Sequence, residues 1–221
     1  MKIKIVLMVA LMAAASTAAH AQGRVEIAPF FGYTLSEGSD FNAQLVNGNL
    51  VDQLTPQSGM SYGVQVDYVD RSGWAGGFQF AEERSKLEVG FQGVGAGSQV
   101  VTDMSVKNYH GIFTYNVGRD GDTVRPYAFF GLGATHYSFD PIQGNPVDGA
   151  TKFSATWGAG VKVYATEHVG FRASGRWTPT YINSEAAGIY CSPYWIGSCW
   201  VVGDPNYAHQ FETSGGVIFT F

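Results

Sequence analysis

The chain has 221 residues, with 13 Lys and Arg against 18 Asp and Glu, and a formal net charge of −5. This acidic balance argues against a nucleic-acid-binding surface, which would be basic. After residue 21 no apolar run reaches the length of a membrane-spanning helix, although membrane β-strands, which are short and only alternately apolar, leave no such run.

The N-terminus has the three parts of a secretory signal peptide. Lys2 and Lys4 precede a short apolar run, and small residues end it at Ala19-His20-Ala21. A charged start, an apolar stretch too short to span and an A-x-A site indicate export and cleavage. We expect residues 1–21 to be the signal peptide and residues 22–221 to form one domain, which contains 11 basic and 18 acidic residues.

Beyond the signal, about eight segments alternate apolar and polar residues, which is the period of a β-strand with two different surroundings. In VGFRASGRW (169–177), Phe171 and Trp177 share an uncharged face while Arg172 and Arg176 lie on the other. Two apolar residues, Phe30 and Ile112, fall on the polar face of their strands. In chain order the segments are 25–33, 60–68, 74–80, 108–117, 126–134, 153–164, 169–177 and the terminal segment that ends in SGGVIFTF.

The connections between these segments alternate strictly in length. Four are long and polar (35–57, 82–103, 138–151 and 179–206) and three are tight turns (70–73, 118–123 and 165–168). An up-and-down meander with an even number of strands places every long loop at one end and every short turn, with both termini, at the other.

Aromatic residues recur near both ends of the apolar faces, as membrane–water interfaces select. The charged faces then line the barrel interior, because each basic residue turned to lipid at the midplane would cost roughly 2–4 kcal/mol. An eight-stranded barrel is only wide enough inside for side chains, so we expect the charges to pair and fill it. The predicted interior charge network is Glu26, Asp67, Lys162 and Arg172 near one another, with Arg176 and Glu212 higher up.

The chain ends with Ser214, Gly216, Phe219 and Phe221 in the spacing polar-x-Gly-x-x-apolar-x-aromatic. This resembles the terminal assembly signal of bacterial outer-membrane barrels. With the strand phrases VEIAPFFGYT, RPYAFFGLGA and WGAGVKVY, it makes the chain similar to the small OmpA/OmpX-type barrel family.

The resemblance implies an all-β, eight-stranded antiparallel up-and-down transmembrane β-barrel in the outer membrane of a Gram-negative bacterium. It implies a role in envelope integrity or in loop-mediated contact with host, phage or neighbouring cells. The implied partners are outer-membrane lipid and lipopolysaccharide, the barrel assembly machinery and an extracellular partner. Longer OmpA-like proteins carry a peptidoglycan-binding domain, and we expect no such tether here.

The two cysteines, Cys191 and Cys199, lie close together in CSPYWIGSC. In an exported chain such a pair is most simply a disulfide across a loop, whereas a zinc site would need four ligands. Around them lie candidate recognition residues, whose alternative role is to pack on one another and on the barrel rim: Tyr190, Tyr194, Trp195 and Trp200.

Catalysis is the main competing hypothesis, because some barrels of this size modify lipid A. His136 and Ser138 resemble the His-x-Ser pair of the deacylases, but Phe139-Asp140 follow them where the deacylases have Asn-Ala. We interpret His110 as a hydrogen-bonded filling residue, and GVGAG (93–97) has no helix after it to bind a nucleotide. The sequence therefore predicts no catalytic residue, cofactor or metal; a narrow small-solute channel and a lipid A-modifying enzyme are the alternatives.

Overall fold

A computed structural model describes residues 23–36, 39–46, 49–92, 97–140, 149–181, 189–191, 199–201 and 207–221. These residues contain twelve strands, β1 to β12 in chain order: Gly23–Ser36, Ser39–Val46, Asn49–Pro56, Gly59–Asp70, Trp74–Gln92, Gly97–Asn116, Val124–Phe139, Ala150–Tyr164, Val169–Tyr181, Ile189–Cys191, Cys199–Val201 and Tyr207–Thr220. None of the described residues forms a helix that is long and apolar enough to cross a membrane.

Eight of these strands close into a barrel in the order β1-β4-β5-β6-β7-β8-β9-β12, with β12 returning to β1. Every neighbouring pair is antiparallel. The last residue takes part in the closure, because the backbone N–H and C=O of Phe221 both bond to Val25. Closure pairs each of the eight barrel strands on both sides within the described residues, which is what a sheet in lipid requires, and the predicted eight-stranded antiparallel barrel is confirmed.

Two of the expected long connections are formed mainly by strands rather than by irregular loops. The pairing of β1 with β4 reaches Thr34↔Gly59, and the pairing of β2 with β3 resumes at Ser39↔Leu54 without a change of register. Strands β5 and β6 likewise stay paired up to Phe91↔Gly97. Segments 35–57 and 82–103 are thus mainly hairpin arms beyond the barrel.

The two faces of the barrel strands divide as the alternation predicts. On β6, Phe113 is 69% exposed while its neighbours Ile112 and Thr114 are buried. The exposed faces carry aromatic pairs near both ends of the strands, such as Trp74 with Tyr115 (4.8 Å between ring centroids) and Phe80 with Tyr109 (5.2 Å). Such belts are typical of a barrel wall at the two membrane interfaces.

The short turns are held by local hydrogen bonds. In the β4–β5 turn the N–H and hydroxyl of Ser72 both donate to the Asp70 carboxylate, at 3.2 and 2.5 Å, and the bond from the hydroxyl is the main reason why the pKa of Asp70 lies below its usual value. In the β6–β7 turn the N–H of Arg119 donates to the Asp122 carboxylate at 2.6 Å. Gly118 of that turn has φ +104°, a conformation that favours glycine. This second turn positions Asp120 at the mouth of the barrel.

Candidate functional site

The inward faces of the eight barrel strands meet in a lumen filled with polar side chains. We call the part next to the short turns the lower lumen and the part next to the long connections the upper lumen. In the lower lumen the Glu26 carboxylate accepts hydrogen bonds from Lys162 Nζ at 2.6 Å, from the Tyr164 hydroxyl at 2.7 Å and from Arg24 Nε at 3.0 Å. Glu26 and Lys162 are 2% and 1% exposed. This buried ion pair joins β1 to β8, three strands away around the barrel.

Charges of like sign are neighbours on each wall of the lower lumen. Arg125, Lys162 and Arg172 occupy directly opposite positions on the adjoining strands β7, β8 and β9. Glu26 and Asp67 are directly opposite on β1 and β4. Like charges in such positions repel, so each wall is held by the opposite charge across the lumen rather than by its own neighbours.

The middle of the lumen is organised around Gln65, which joins two predicted residues that form no ion pair with each other. The Gln65 Oε1 atom accepts from Arg172 Nη1 at 2.7 Å and from Gln79 Nε2 at 3.2 Å, and its Nε2 atom donates to Asp67 at 2.6 Å. Asp67 and Arg172 are therefore linked through the Gln65 amide and not by a direct ion pair. Because an amide both donates and accepts, it satisfies a cation and an anion at the same time.

The bonded amides of Gln65 and Gln79 link Arg172 to Arg176 and so join the lower lumen to the upper lumen. An apolar cluster also lies between the two parts. It contains the two residues that broke the sequence alternation, and its members are all buried: Phe30, Ile112, Tyr127 and Phe129. The Arg172 guanidinium carbon lies 5.8 Å from the centroid of the Phe30 ring and 5.4 Å from that of Tyr127. The guanidinium carbon of Arg176 lies 5.8 Å from the Phe30 centroid. Phe30 thus contacts two arginines, in an arrangement that favours cation–π attraction.

In the upper lumen Arg176 connects opposite walls of the barrel. Its guanidinium donates to Glu212 on the neighbouring strand and to Gln79 on β5, the strand directly across, at 2.7 Å each. Above it, Asn108 donates to Gln210 at 3.4 Å, again between opposite strands, and Gln210 donates to Glu83 at 3.0 Å. The space left among these side chains is too narrow to hold a water molecule.

His110 contacts a serine, which is the geometry of a base beside a nucleophile. Its Nε2 lies 2.9 Å from Ser154 Oγ, and Thr135 Oγ1 donates to that same oxygen at 2.9 Å. All three residues are 0% exposed, so no substrate can reach the pair. His110 therefore fits a buried hydrogen-bond network better than a catalytic site.

His136 and Ser138 lie apart from this network, on the opposite face of β7 from the lumen-lining Arg125 and Thr135. His136 Nδ1 lies 2.8 Å from Thr151 Oγ1, and Ser138 Oγ donates to the backbone carbonyl of Ser105 at 3.4 Å. Each residue thus has another partner, and neither is positioned to activate the other. The described residues also contain no cluster of three or more His, Cys, Asp or Glu side chains that could hold a metal ion.

The remaining predicted residues divide between described and undescribed parts of the chain. β10 and β11 form a hairpin in which Cys191 is directly opposite Cys199 and Tyr190 is opposite Trp200. Tyr194 and Trp195 lie outside the described residues. Two residues of the terminal pattern, Phe219 and Phe221, lie on the outer wall and are 41% and 71% exposed. The other two, Ser214 and Gly216, lie on the lumen side of β12, where Ser214 Oγ is 3.0 Å from Ser174 Oγ.

Sequence analysis missed the polar residues that link the charges, namely Arg24, Gln65, Gln79, Asp120 and Arg125. Four of them lie on the lumen face of their strands. Gln65 and Gln79 carry no charge, and Arg24 and Arg125 each lie one residue before the alternating segments 25–33 and 126–134. Asp120 lies in the β6–β7 turn, outside any alternating segment, and reaches Arg24 at 2.6 Å only because the turn folds toward the mouth.

Comparison with known proteins is consistent with this geometry. The family model described as outer membrane protein beta-barrel domain matches residues 5–190. The outer membrane protein OprG from Pseudomonas aeruginosa superposes with a TM-score of 0.60 at 16% identity, covering 91% of this chain and 97% of OprG. Neisserial surface protein A gives a TM-score of 0.54 at 17% identity, covering 90% and 97%. At these identities the two structures show the fold alone.

No curated protein sequence matches the chain significantly. The family match, however, covers most of the chain, and the barrel has the aromatic belts and filled lumen of a small membrane barrel. The chain therefore belongs to the outer membrane protein beta-barrel family and lies in the outer membrane of a Gram-negative bacterium.

Proposed function

We propose that the protein is a closed, non-catalytic barrel that contributes to envelope integrity and contacts other molecules through its exposed connections. The observation that carries this proposal is the set of hydrogen bonds that cross the lumen at several heights. Arg24 reaches Asp120, Lys162 reaches Glu26, and Arg176 reaches Gln79, all across the interior rather than along a wall.

These crossings weigh against the channel alternative. An ion or solute that passes through would have to separate buried ion pairs in both halves of the lumen, Glu26 with Lys162 and Arg176 with Glu212. The loss of one partner of a buried pair costs about 3–5 kcal/mol, so a passing solute would meet a cost of that order in each half. A resting barrel of this kind excludes solutes.

The positions of the histidines weigh against the enzyme alternative. A hydrolytic site needs a nucleophile, a base within hydrogen-bond reach and access for the substrate. His110 has a serine neighbour but no access, whereas His136 and Ser138 have access but bond to other groups. Neither pair combines the three requirements.

The proposal includes the export and assembly features of the chain. Residues 1–21 would be removed as a signal peptide, and the outward-facing Phe219 and Phe221 would be read by the barrel assembly machinery. Cys191 and Cys199 would be joined, because Cα atoms opposite each other on antiparallel strands are about 4.5–5.5 Å apart, within the span of a disulfide. The outer wall would contact lipid and lipopolysaccharide, and the β10–β11 hairpin with Tyr190 and Trp200 would be available to an extracellular partner.

Current recording in planar lipid bilayers tests the closed state. We expect no sustained openings from the refolded protein, and occasional openings from an Arg176→Ala/Lys162→Ala variant, which loses a crossing in each half. Arg71→Ala, in the exposed β4–β5 turn, removes a cation without touching the lumen and is the matched control. Sustained openings of the unaltered protein would overturn the proposal.

A further inference from the structure

One buried cation at the mouth of the lower lumen has too few partners. Arg125 is 1% exposed, and neither its Nε nor its Nη2 has a hydrogen-bond partner among the described residues. Its Nη1 is 3.5 Å from the Asp120 carboxylate, which is the outer limit of a hydrogen bond. Buried guanidinium groups ordinarily use most of their five donors, so Arg125 has donors to offer to a further acceptor.

The charges around Arg125 point to an acceptor that is negative. Among the described residues of the lower lumen, four cations (Arg24, Arg125, Lys162 and Arg172) face two acids, Glu26 and Asp67. Glu26 bonds to Lys162, Tyr164 and Arg24. Asp67 bonds to Gln65 through Oδ2, and its Oδ1 has no partner among the described residues. Neither wall carboxylate forms an ion pair with Arg125.

The missing negative charge comes from outside the wall. Asp120 belongs to the β6–β7 turn and is 49% exposed, yet its carboxylate accepts from Arg24 Nη1 at 2.6 Å as well as approaching Arg125. Arg24 and Arg125 lie on β1 and β7, which are opposite strands of the barrel. One carboxylate on a flexible side chain is therefore held between two arginines from opposite walls, in the position an oxyanion from solution would take.

We propose that the mouth between Arg24 and Arg125 is a binding site for an oxyanion, a carboxylate or a phosphate group presented from the periplasm, with the Asp120 carboxylate as its tethered occupant. Guanidinium groups match both anions, because their paired N–H groups bond two oxygens of one carboxylate or phosphate. The Nε and Nη2 of Arg125 are donors that Asp120 does not use. Both atoms are buried beside the exposed Asp120, so an oxyanion would reach them only when the Asp120 carboxylate moves aside. This site lies outside the role proposed above, since a closed barrel needs no ligand at its mouth.

Replacing the tethered occupant tests the site. In Asp120→Asn the side chain keeps its size but loses the charge that competes for the arginines, so the site is free in a larger fraction of molecules and the apparent affinity rises. We expect inorganic phosphate to bind this variant at least about tenfold more tightly than the unaltered protein. Acetate in a parallel titration distinguishes carboxylate from phosphate recognition, because binding of both anions supports a general oxyanion site and binding of phosphate alone supports a phosphate site.

The titration follows the arginine Nε–H signals by NMR in detergent micelles, with chloride added to hold the ionic strength constant. Glu167→Gln, which removes an exposed acid from another turn at the same end, is the matched control and should behave as the unaltered protein. Asp120→Asn/Arg125→Met should lose the tighter binding. The proposal is overturned if Asp120→Asn binds no more tightly than the Glu167 variant, or if its binding persists without Arg125.

Discussion

Neutralising Glu26 should destabilise the barrel more than any other single isosteric change in the lower lumen. Its carboxylate is 2% exposed and accepts three hydrogen bonds, from Lys162, Tyr164 and Arg24. Glu26→Gln keeps the size of the side chain but removes its charge. Lys162, itself 1% exposed, would then be a buried cation beside an amide.

The size of the effect follows from these contacts. A hydrogen bond to a charged group contributes about 1.5–3 kcal/mol, and the loss of one partner of a buried pair costs about 3–5 kcal/mol. The contribution of Arg24 is smaller, because its side chain is 22% exposed and screened by water. We therefore expect Glu26→Gln to lower the free energy of unfolding by about 3–5 kcal/mol.

The assay is reversible urea unfolding of the protein in lipid vesicles, followed by tryptophan fluorescence. A Glu26→Gln/Lys162→Met variant, which removes both charges, should regain most of the lost stability, because no uncompensated charge stays buried. Glu167→Gln, in the exposed β8–β9 turn, should leave the midpoint unchanged. If Glu26→Gln unfolds at the same urea concentration as the Glu167 variant, the ion pair does not hold the lumen together as described.

Three further changes test the wall, the packing and the hairpin. Phe113→Arg, at a 69% exposed position between the two aromatic belts, should cost about 2–4 kcal/mol if that face meets lipid, and an unfolding midpoint equal to that of Phe113→Leu would contradict the orientation. Gly133→Ala should lower the free energy of unfolding in the same urea assay by about 1–3 kcal/mol, because the new methyl group would overlap the carbonyl oxygen of Tyr109. Gly76→Ala should be neutral, because no atom lies within 4 Å of its new methyl group. Equal unfolding midpoints for the two variants would refute the packing described at Gly133. Reduction should change the gel mobility of the protein but not that of Cys191→Ser, and identical mobility with and without reductant would mean that the thiols are free.

The strand alternation predicted the barrel strands and the division of each into two faces, but not which face meets lipid. The aromatic belts and the cost of a charge in lipid predicted that. On β9 the residues Phe171 and Trp177 point outward and Arg172 and Arg176 inward, as that reasoning requires. Phe30 and Ile112 could not be placed from hydropathy. They lie inside because the alternation of β1 and β6 turns their positions toward the lumen, whatever side chain stands there.

The extent of the strands and the links between charges could not be predicted for a related reason. Ser39↔Leu54 continues the register of Thr34↔Gly59, but register is a property of a pair of strands and does not appear in either sequence alone. Arg172 is linked to Asp67 through Gln65, and because that side chain is neutral, the sequence does not indicate that it links two charges. Asp120 meets Arg24 across 96 residues of chain, and only the closed barrel brings them together.

Spin labels placed one at a time along β6, from Tyr109 to Asn116 in a protein whose two cysteines are replaced by serine, test the inside-out polarity most directly. The collision rate with dissolved oxygen, which concentrates in lipid, should be high at 109, 111, 113 and 115 and low at 110, 112, 114 and 116. The rate with a water-soluble nickel complex should stay low at every inward position, because the lumen is filled. A collision pattern without this two-residue period, or with the even positions open to the nickel complex, would contradict a barrel that is apolar outside and closed within.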